Sequence, residues 1–327
     1  MKVFITKRIP EIGIHLLENA GLEIFIPEHE NLSQEEWLSY CKSNDVILSV
    51  GSEFKYDKDF FNECPNIKAI ALYSVGFDHV DIQEANQRNI PIGNTPDVLS
   101  KATSDVAFLL MQSVARRAAY NFEKVKSGNW GDFDPLHALG QELYGKTLGI
   151  FGLGRIGFEM AKKSKVAFDM DIIYHNRHRS EEAENELGAK YVSFEELIAQ
   201  SDVLSIHANF KPEQKELFNK SVFEKMKENA IFVNTARGGF HNQKDLYDAL
   251  TERKIWGAGL DVTNPEPIFK EDPILGLSNV CVLPHIGSAT IEARSGMAKL
   301  AAENLIAFSK REKMPTCANP EIYSRNS

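Results

Sequence analysis

The stretch Thr147-Leu148-Gly149-Ile150-Phe151-Gly152-Leu153-Gly154-Arg155-Ile156-Gly157 decides how this chain is read. A short apolar run enters the pattern G-x-G-x-x-G, and a stretch of helical character, FEMAKKSK at 158–165, leaves it. Gly152 permits a tight turn, Gly154 lets backbone approach a pyrophosphate, and Gly157 lets the helix pack closely on the strand. The helix start adds N–H groups and the positive end of its dipole. The pattern alone is weak. A strand before it and a helix after it make Gly152, Gly154, Arg155, Ile156 and Gly157 a dinucleotide site.

Outward from this stretch the same alternation repeats. Apolar runs follow at 171–174, 203–207, 230–234, 257–262 and 280–285, and precede it at 2–6, 23–26, 46–49, 68–72 and 90–92, with helical periodicity at 10–20, 33–42 and 81–88. Parallel strands need a helix to return the chain, so both series predict parallel sheets covered on each face. A length of 327 residues suits two domains with a cleft between them. The expected class is α/β with two doubly wound parallel-sheet domains: a Rossmann-type nucleotide domain at 101–286 and a discontinuous flavodoxin-like substrate domain at 1–100 and 287–327. Asp97 is expected to cap a long helix spanning the domains, and GSATIEARSGMAKLAAENLIAF at 287–308 reads as one helix returning the chain to the first domain. The Lys/Glu-rich stretch 211–228 reads as a solvated helix face.

A net charge of -9 without any run of Lys or Arg argues against nucleic acid and anionic membrane as partners. Cys41, Cys64, Cys281 and Cys317 form no Cys-x-x-Cys pair, which speaks against zinc ligation or a disulfide framework and for a reducing cytoplasm. No apolar run approaches about 18 residues. The polar end EIYSRNS is expected to fray.

Where an NAD site would carry an acid for the ribose, the chain reads Tyr174-His175-Asn176-Arg177-His178-Arg179. Arg177 and Arg179 could neutralise a 2′-phosphate, so NADP(H) is expected in preference to NAD(H), with Asn176 at the same corner. Three further groups stand just past strand ends: Arg237 in NTARG, Glu266 between Pro265 and Pro267, and His285 in LPHIG. That rim is where ligands bind in open α/β sheets. A buried carboxylate beside an imidazole favours the protonated ring, a usable general acid. His15, His29, His79, His175, His207 and His241 read more simply as structural residues.

With Gly152–Gly157, NTARG at 234–238, LDVTNPEP at 260–267 and LPHIGSAT at 283–290, nearly the whole chain resembles the D-isomer-specific 2-hydroxyacid dehydrogenase family. YSVGFDHVD at 73–81, TPDV at 95–98 and the basic 175–179 segment are most similar to its glyoxylate and hydroxypyruvate reductases. The resemblance implies that His285 is the acid/base, Glu266 its carboxylate partner, and Arg237 the cation for the substrate carboxylate and keto oxygen. It implies that the N–H groups of Val75 and Gly76 hold that carboxylate, and that Thr103, Arg155, Ile156, Ala236, Asp261 and Gly287 face the dinucleotide. A homodimer through the nucleotide domain around 121–146 is implied as well. Alternatives are a dehydrogenase for 2-ketogluconate, phenylpyruvate or lactate, and a dinucleotide-sensing scaffold like the C-terminal-binding corepressors. The chain departs from the pattern at Asn209, Phe240 and His241, where adenine packing is expected to differ, and at His137, where related reductases bring an aromatic residue from the partner subunit to the substrate.

Overall fold

The computed structural model describes residues 1–29 and 31–324. The chain separates into two units, Met1–Leu99 with Ala289–Ser327, and Ser100–Ser288.

In the first unit, β1 (Lys2–Ile5), β2 (Glu23–Phe25), β3 (Val46–Ser49), β4 (Ala69–Leu72) and β5 (Ile92–Gly93) form a parallel sheet in the order β2-β1-β3-β4-β5. That is the flavodoxin-like order. β3 and β4 are buried at every residue, as strands covered on both faces must be. On one face Trp37, Tyr56, Phe60 and Phe61 pack with Phe4, Ile47 and Ile70. On the other, the helix Ile291–Ser309 lies against β3, β4 and the helix Glu11–Asn19. Its buried side is largely small (Ala293, Ala298, Ala301, Ala302), so the two helices come close: a Cβ on Gly13 would stand 2.8 Å from the Ala298 carbonyl oxygen. This helix begins at Ile291, not at 287, because the Thr290 hydroxyl caps it by accepting the Ala293 N–H at 3.1 Å. Pro320–Tyr323 forms a 3-10 turn with Ile322 buried, while 325–327 lie outside the described residues.

In the second unit, β6 (Thr147–Phe151), β7 (Asp171–His175), β8 (Lys190–Tyr191), β9 (Val203–Ile206), β10 (Ile231–Asn234), β11 (Gly257–Leu260) and β12 (Val280–Val282) run parallel in the order β12-β11-β10-β9-β6-β7-β8. The order reverses between β6 and β9, the switch point at which such sheets open a crevice. Phe151 pairs with both His175 and Ile206, Asn234 with Ile206 and Leu260, and Leu260 with Val282, so the strands end level and their loops leave one edge.

The helix Ser100–Ala115 belongs wholly to this unit, against β10, β11 and the helix Arg155–Phe168, and so does not span the domains. Asp97 stands three residues ahead of it at φ +70°. The stretch 211–228 is not one solvated helix either. It holds a 3-10 turn and the short helix Lys220–Phe223, and it buries Phe218, Val222, Phe223 and Met226. Among the described residues no helix is long and apolar enough to cross a membrane, no cluster of acidic, His or Cys side chains could hold a metal, and the four cysteines are free thiols.

Candidate active site

Gly152 follows β6 at φ +90°, where a Cβ would stand 2.4 Å from the Ala208 backbone beyond β9. A side chain there would push the two sides of the switch point apart. Gly154 precedes the helix Arg155–Phe168 without any side-chain cap, and a Cβ on it would enter open space. A helix N-terminus uncapped by a side chain, with room before it, suits a pyrophosphate. Gly157 lies close beneath, its Cβ position 3.0 Å from the Gly152 carbonyl oxygen.

The segment after β7 divides its work unexpectedly. Asn176 Oδ1 accepts the Leu153 N–H at 2.6 Å and its Nδ2 donates to the Leu153 carbonyl at 3.0 Å, so this side chain holds the glycine loop. The Tyr191 hydroxyl in turn donates to the Asn176 carbonyl at 3.0 Å. Arg179 is not a free partner for a phosphate. Its Nε and Nη2 donate to Glu184 at 2.9 and 2.8 Å, and this pairing lowers the Glu184 carboxyl below its usual range. Arg177 is exposed and makes no ion pair among the described residues. The corner therefore offers one unengaged guanidinium, not two.

At the far side of the same edge, Arg237 leaves β10 half-buried, with Nη1 donating to the Ala236 carbonyl at 2.8 Å. Asn234 shapes this loop. Its Nδ2 donates to the Arg237 carbonyl at 2.9 Å and to His241 Nδ1 at 3.1 Å, while its Oδ1 accepts the Ala236 N–H at 3.0 Å. The loop also runs against the one after β11, since a Cβ on Gly238 would stand 1.8 Å from the Thr263 carbonyl oxygen.

Glu266 and His285 come together from the loops after β11 and β12, with His285 Nδ1 hydrogen-bonded to Glu266 Oε1. The expectation of a buried carboxylate is not met. The side chains of His285 and Glu266 are 50% and 38% exposed. The carboxylate that is buried is Asp261, at the end of the β11 run. Its two oxygens accept the N–H groups of Ile286 and Gly287 at 2.8 and 2.7 Å, and its carbonyl accepts the His285 N–H at 2.9 Å. Burial raises the Asp261 carboxyl above its ordinary value, against the lowering effect of those two hydrogen bonds. Asp261 thus fixes the turn in which His285 takes φ +53°. Thr103 is buried, 3.1 Å from the Cβ position of Gly287.

Of the departures from the family pattern, Phe240 and His241 fall in the core, while Asn209 is exposed. Phe240 is fully buried and packs edge-on against Phe151, Phe210 and Phe218. His241 is buried between Asn234 and Gln243, and burial pulls its imidazole down to about 4; His207, beside Ser205, falls to about 3 for the same reason. Both rings are neutral packing groups. His137 is exposed, with Nε2 3.0 Å from Lys124 Nζ.

In the first unit, Val75 and Gly76 follow β4. Their carbonyl groups accept from Asn94 Nδ2 at 3.0 Å and Ser74 Oγ at 2.7 Å, while no hydrogen bond among the described residues takes their N–H groups. Adjacent N–H groups left open in a turn suit a carboxylate.

Comparison with known proteins gives concordant matches. Residues 108–287 fit the family model of the D-isomer specific 2-hydroxyacid dehydrogenase NAD binding domain. Over 327 residues the chain is 43% identical to a glyoxylate reductase of Thermococcus litoralis, covering 99% of this chain and 98% of that one. A crystal structure of a glyoxylate reductase from Paecilomyes thermophila superposes with a TM-score of 0.88 at 31% identity, covering 98% of this chain and 99% of that one. An NADPH-dependent glyoxylate/hydroxypyruvate reductase from Sinorhizobium meliloti, in complex with NADP and malonate, superposes with a TM-score of 0.83 at 27% identity, covering 97% and 96%.

Proposed function

The chain belongs to the D-isomer-specific 2-hydroxyacid dehydrogenase family, a family of NAD(P)-dependent oxidoreductases, and from that premise we propose that it reduces glyoxylate and hydroxypyruvate with NADPH to glycolate and D-glycerate. The observation that carries this reading is the His285–Glu266 hydrogen bond on a loop pinned by Asp261. The Glu266 carboxylate accepts from Nδ1, which leaves Nε2 of a protonated His285 as the proton donor to the substrate oxygen. Arg237 supplies the cation for the substrate carboxylate and the developing alkoxide, and the N–H groups of Val75 and Gly76 take the carboxylate oxygens. The nicotinamide cofactor, when bound, supplies the hydride. Gly152, Gly154 and Gly157 with the helix start hold its pyrophosphate, and Arg177 its 2′-phosphate. The preference for NADPH rests on the absence of an acid after β7, on the exposed Arg177, and on the NADPH-dependent neighbour.

The exposed apolar tract Phe122, Trp130, Phe133, Leu136 and Leu139, part of 121–146, supports a homodimer through the nucleotide unit.

The test is spectrophotometric. NADPH and NADH oxidation is followed with glyoxylate, hydroxypyruvate and pyruvate, for the wild type and His285→Ala. Loss of about 10²–10⁴-fold in kcat is expected for the variant. Near-normal turnover by it would remove His285 from the chemistry.

A further inference from the structure

We infer that Lys7 and Glu53 together read the substituent on C3 of the keto acid and select a hydroxyl group. This rests on the preceding reading, in which Val75 and Gly76 hold the substrate carboxylate. β1, β3 and β4 are neighbours whose carboxyl ends are level, Ile5 beside Leu48 and Ser49 beside Leu72. Their exits are tied together as well: Thr6 Oγ1 accepts the Val50 N–H at 2.8 Å, and the Ser49 carbonyl accepts the Tyr73 N–H at 2.8 Å. With strands about 4.8 Å apart, the loop after β3 runs beside the Val75–Gly76 turn, and the loop after β1 lies one spacing farther out.

Into that row the chain places an ion pair. The Lys7 ammonium, on a side chain only 28% exposed, meets the Glu53 carboxylate, which is 52% exposed. Glu53 reaches it by folding back over Gly51, where φ is +86° and a Cβ would stand 2.1 Å from Glu53 Oε2. The left-handed backbone there favours glycine, and a side chain would crowd the carboxylate where it lies. Ion pairs this open contribute little to stability and leave both charges available to a ligand.

Its chemistry matches a hydroxyl, which can accept from the ammonium while donating to the carboxylate. A methyl group would take water from both charges and return nothing. A second carboxylate would be repelled by Glu53. Glyoxylate has no C3 and does not reach the pair. The order of kcat/KM among three-carbon and longer acids should therefore be hydroxypyruvate above pyruvate and above oxaloacetate.

The experiment compares kcat/KM for glyoxylate, hydroxypyruvate, pyruvate and oxaloacetate in the wild type, Lys7→Met and Glu53→Gln. A fall of about tenfold or more in the ratio of hydroxypyruvate to glyoxylate, carried mainly by KM, is expected in both variants, since a site built to bond a hydroxyl discriminates strongly against its loss. In Glu53→Gln, oxaloacetate should gain relative to pyruvate. A wild type active on glyoxylate whose ratio is the same in both variants overturns this inference alone, as does an equal loss on every substrate. A wild type idle with all four acids overturns the preceding reading and this one with it.

Discussion

The side-chain amide of Asn176 is bonded face to face with the peptide of Leu153, accepting its N–H at 2.6 Å and donating to its carbonyl at 3.0 Å. The loop that would cradle the cofactor is thus held from the end of the neighbouring strand. Each hydrogen bond contributes about 1 kcal/mol net, so Asn176→Ala should weaken NADPH binding roughly tenfold. Cofactor titration followed by nicotinamide fluorescence checks this, and kcat at saturating NADPH should fall less than affinity. Unchanged affinity would make the clamp incidental.

Arg177 and Arg179 differ in what they have left to offer. Arg179 is occupied by Glu184, whereas Arg177 has no ion-pair partner among the described residues. Arg177→Ala should raise the KM for NADPH by about tenfold or more, the scale of one charge-assisted hydrogen bond, and leave that for NADH nearly unchanged. Arg179→Ala should affect NADPH less. If Arg179→Ala proved the more damaging, the 2′-phosphate would be assigned to the wrong guanidinium.

Burial lowers His241 from 6.5 to about 4. The unfolded chain takes this proton near pH 6.5, while the folded chain refuses it until about pH 4. Between those values the unfolded state binds more protons, so stability falls as pH falls, and the contribution is complete only above pH 6.5. At about 1.4 kcal/mol per pKa unit the loss is on the order of 3 kcal/mol. His207, lowered to about 3, acts in the same direction. Urea unfolding at pH 7.5 and pH 5 should give a smaller difference for His241→Gln than for wild type. Equal differences would mean that His241 is protonated in the fold. Because Asn234 donates to both His241 Nδ1 and the Arg237 carbonyl, acid should also loosen the Arg237 loop.

Phe133 is 93% exposed and Trp130 81%, in a tract with Leu136 at 78%. In the proposed homodimer, Phe133→Asp should shift the equilibrium toward single subunits in sedimentation velocity runs. If the wild type sediments as a single subunit at all concentrations, the dimer assignment is lost.

The doubly wound architecture was legible because strands such as Val46–Ser49 and Ile231–Asn234 are continuous apolar runs of the kind two-sided burial demands. The glycine loop was legible from its strand and helix flanks. Short elements leave no such signal: the helices Glu181–Leu187 and Gln243–Thr251 span two turns or little more, and β8 is two residues long. Their positions are set by caps and packing, not by periodicity. At the site, Arg237, Glu266 and His285 stand out by their places beyond strand ends, whereas the tie from the Asn176 amide to Leu153 joins residues 23 positions apart and is visible only in the fold. The grip of Asp261 on two backbone N–H groups is likewise invisible in a string of letters. The Lys7–Glu53 pair joins residues 46 positions apart, and only the adjacency of β1 and β3 brings them together.

The first unit is assembled from both extremities of the chain. During synthesis its opening hundred residues leave the ribosome long before the helix Ile291–Ser309 that covers Gly13, Ile14 and Leu17. The intervening unit is therefore translated in full while the earlier one still exposes apolar strands to the cell, a vectorial order that makes nascent chains stalled before residue 291 clients for chaperones and proteases.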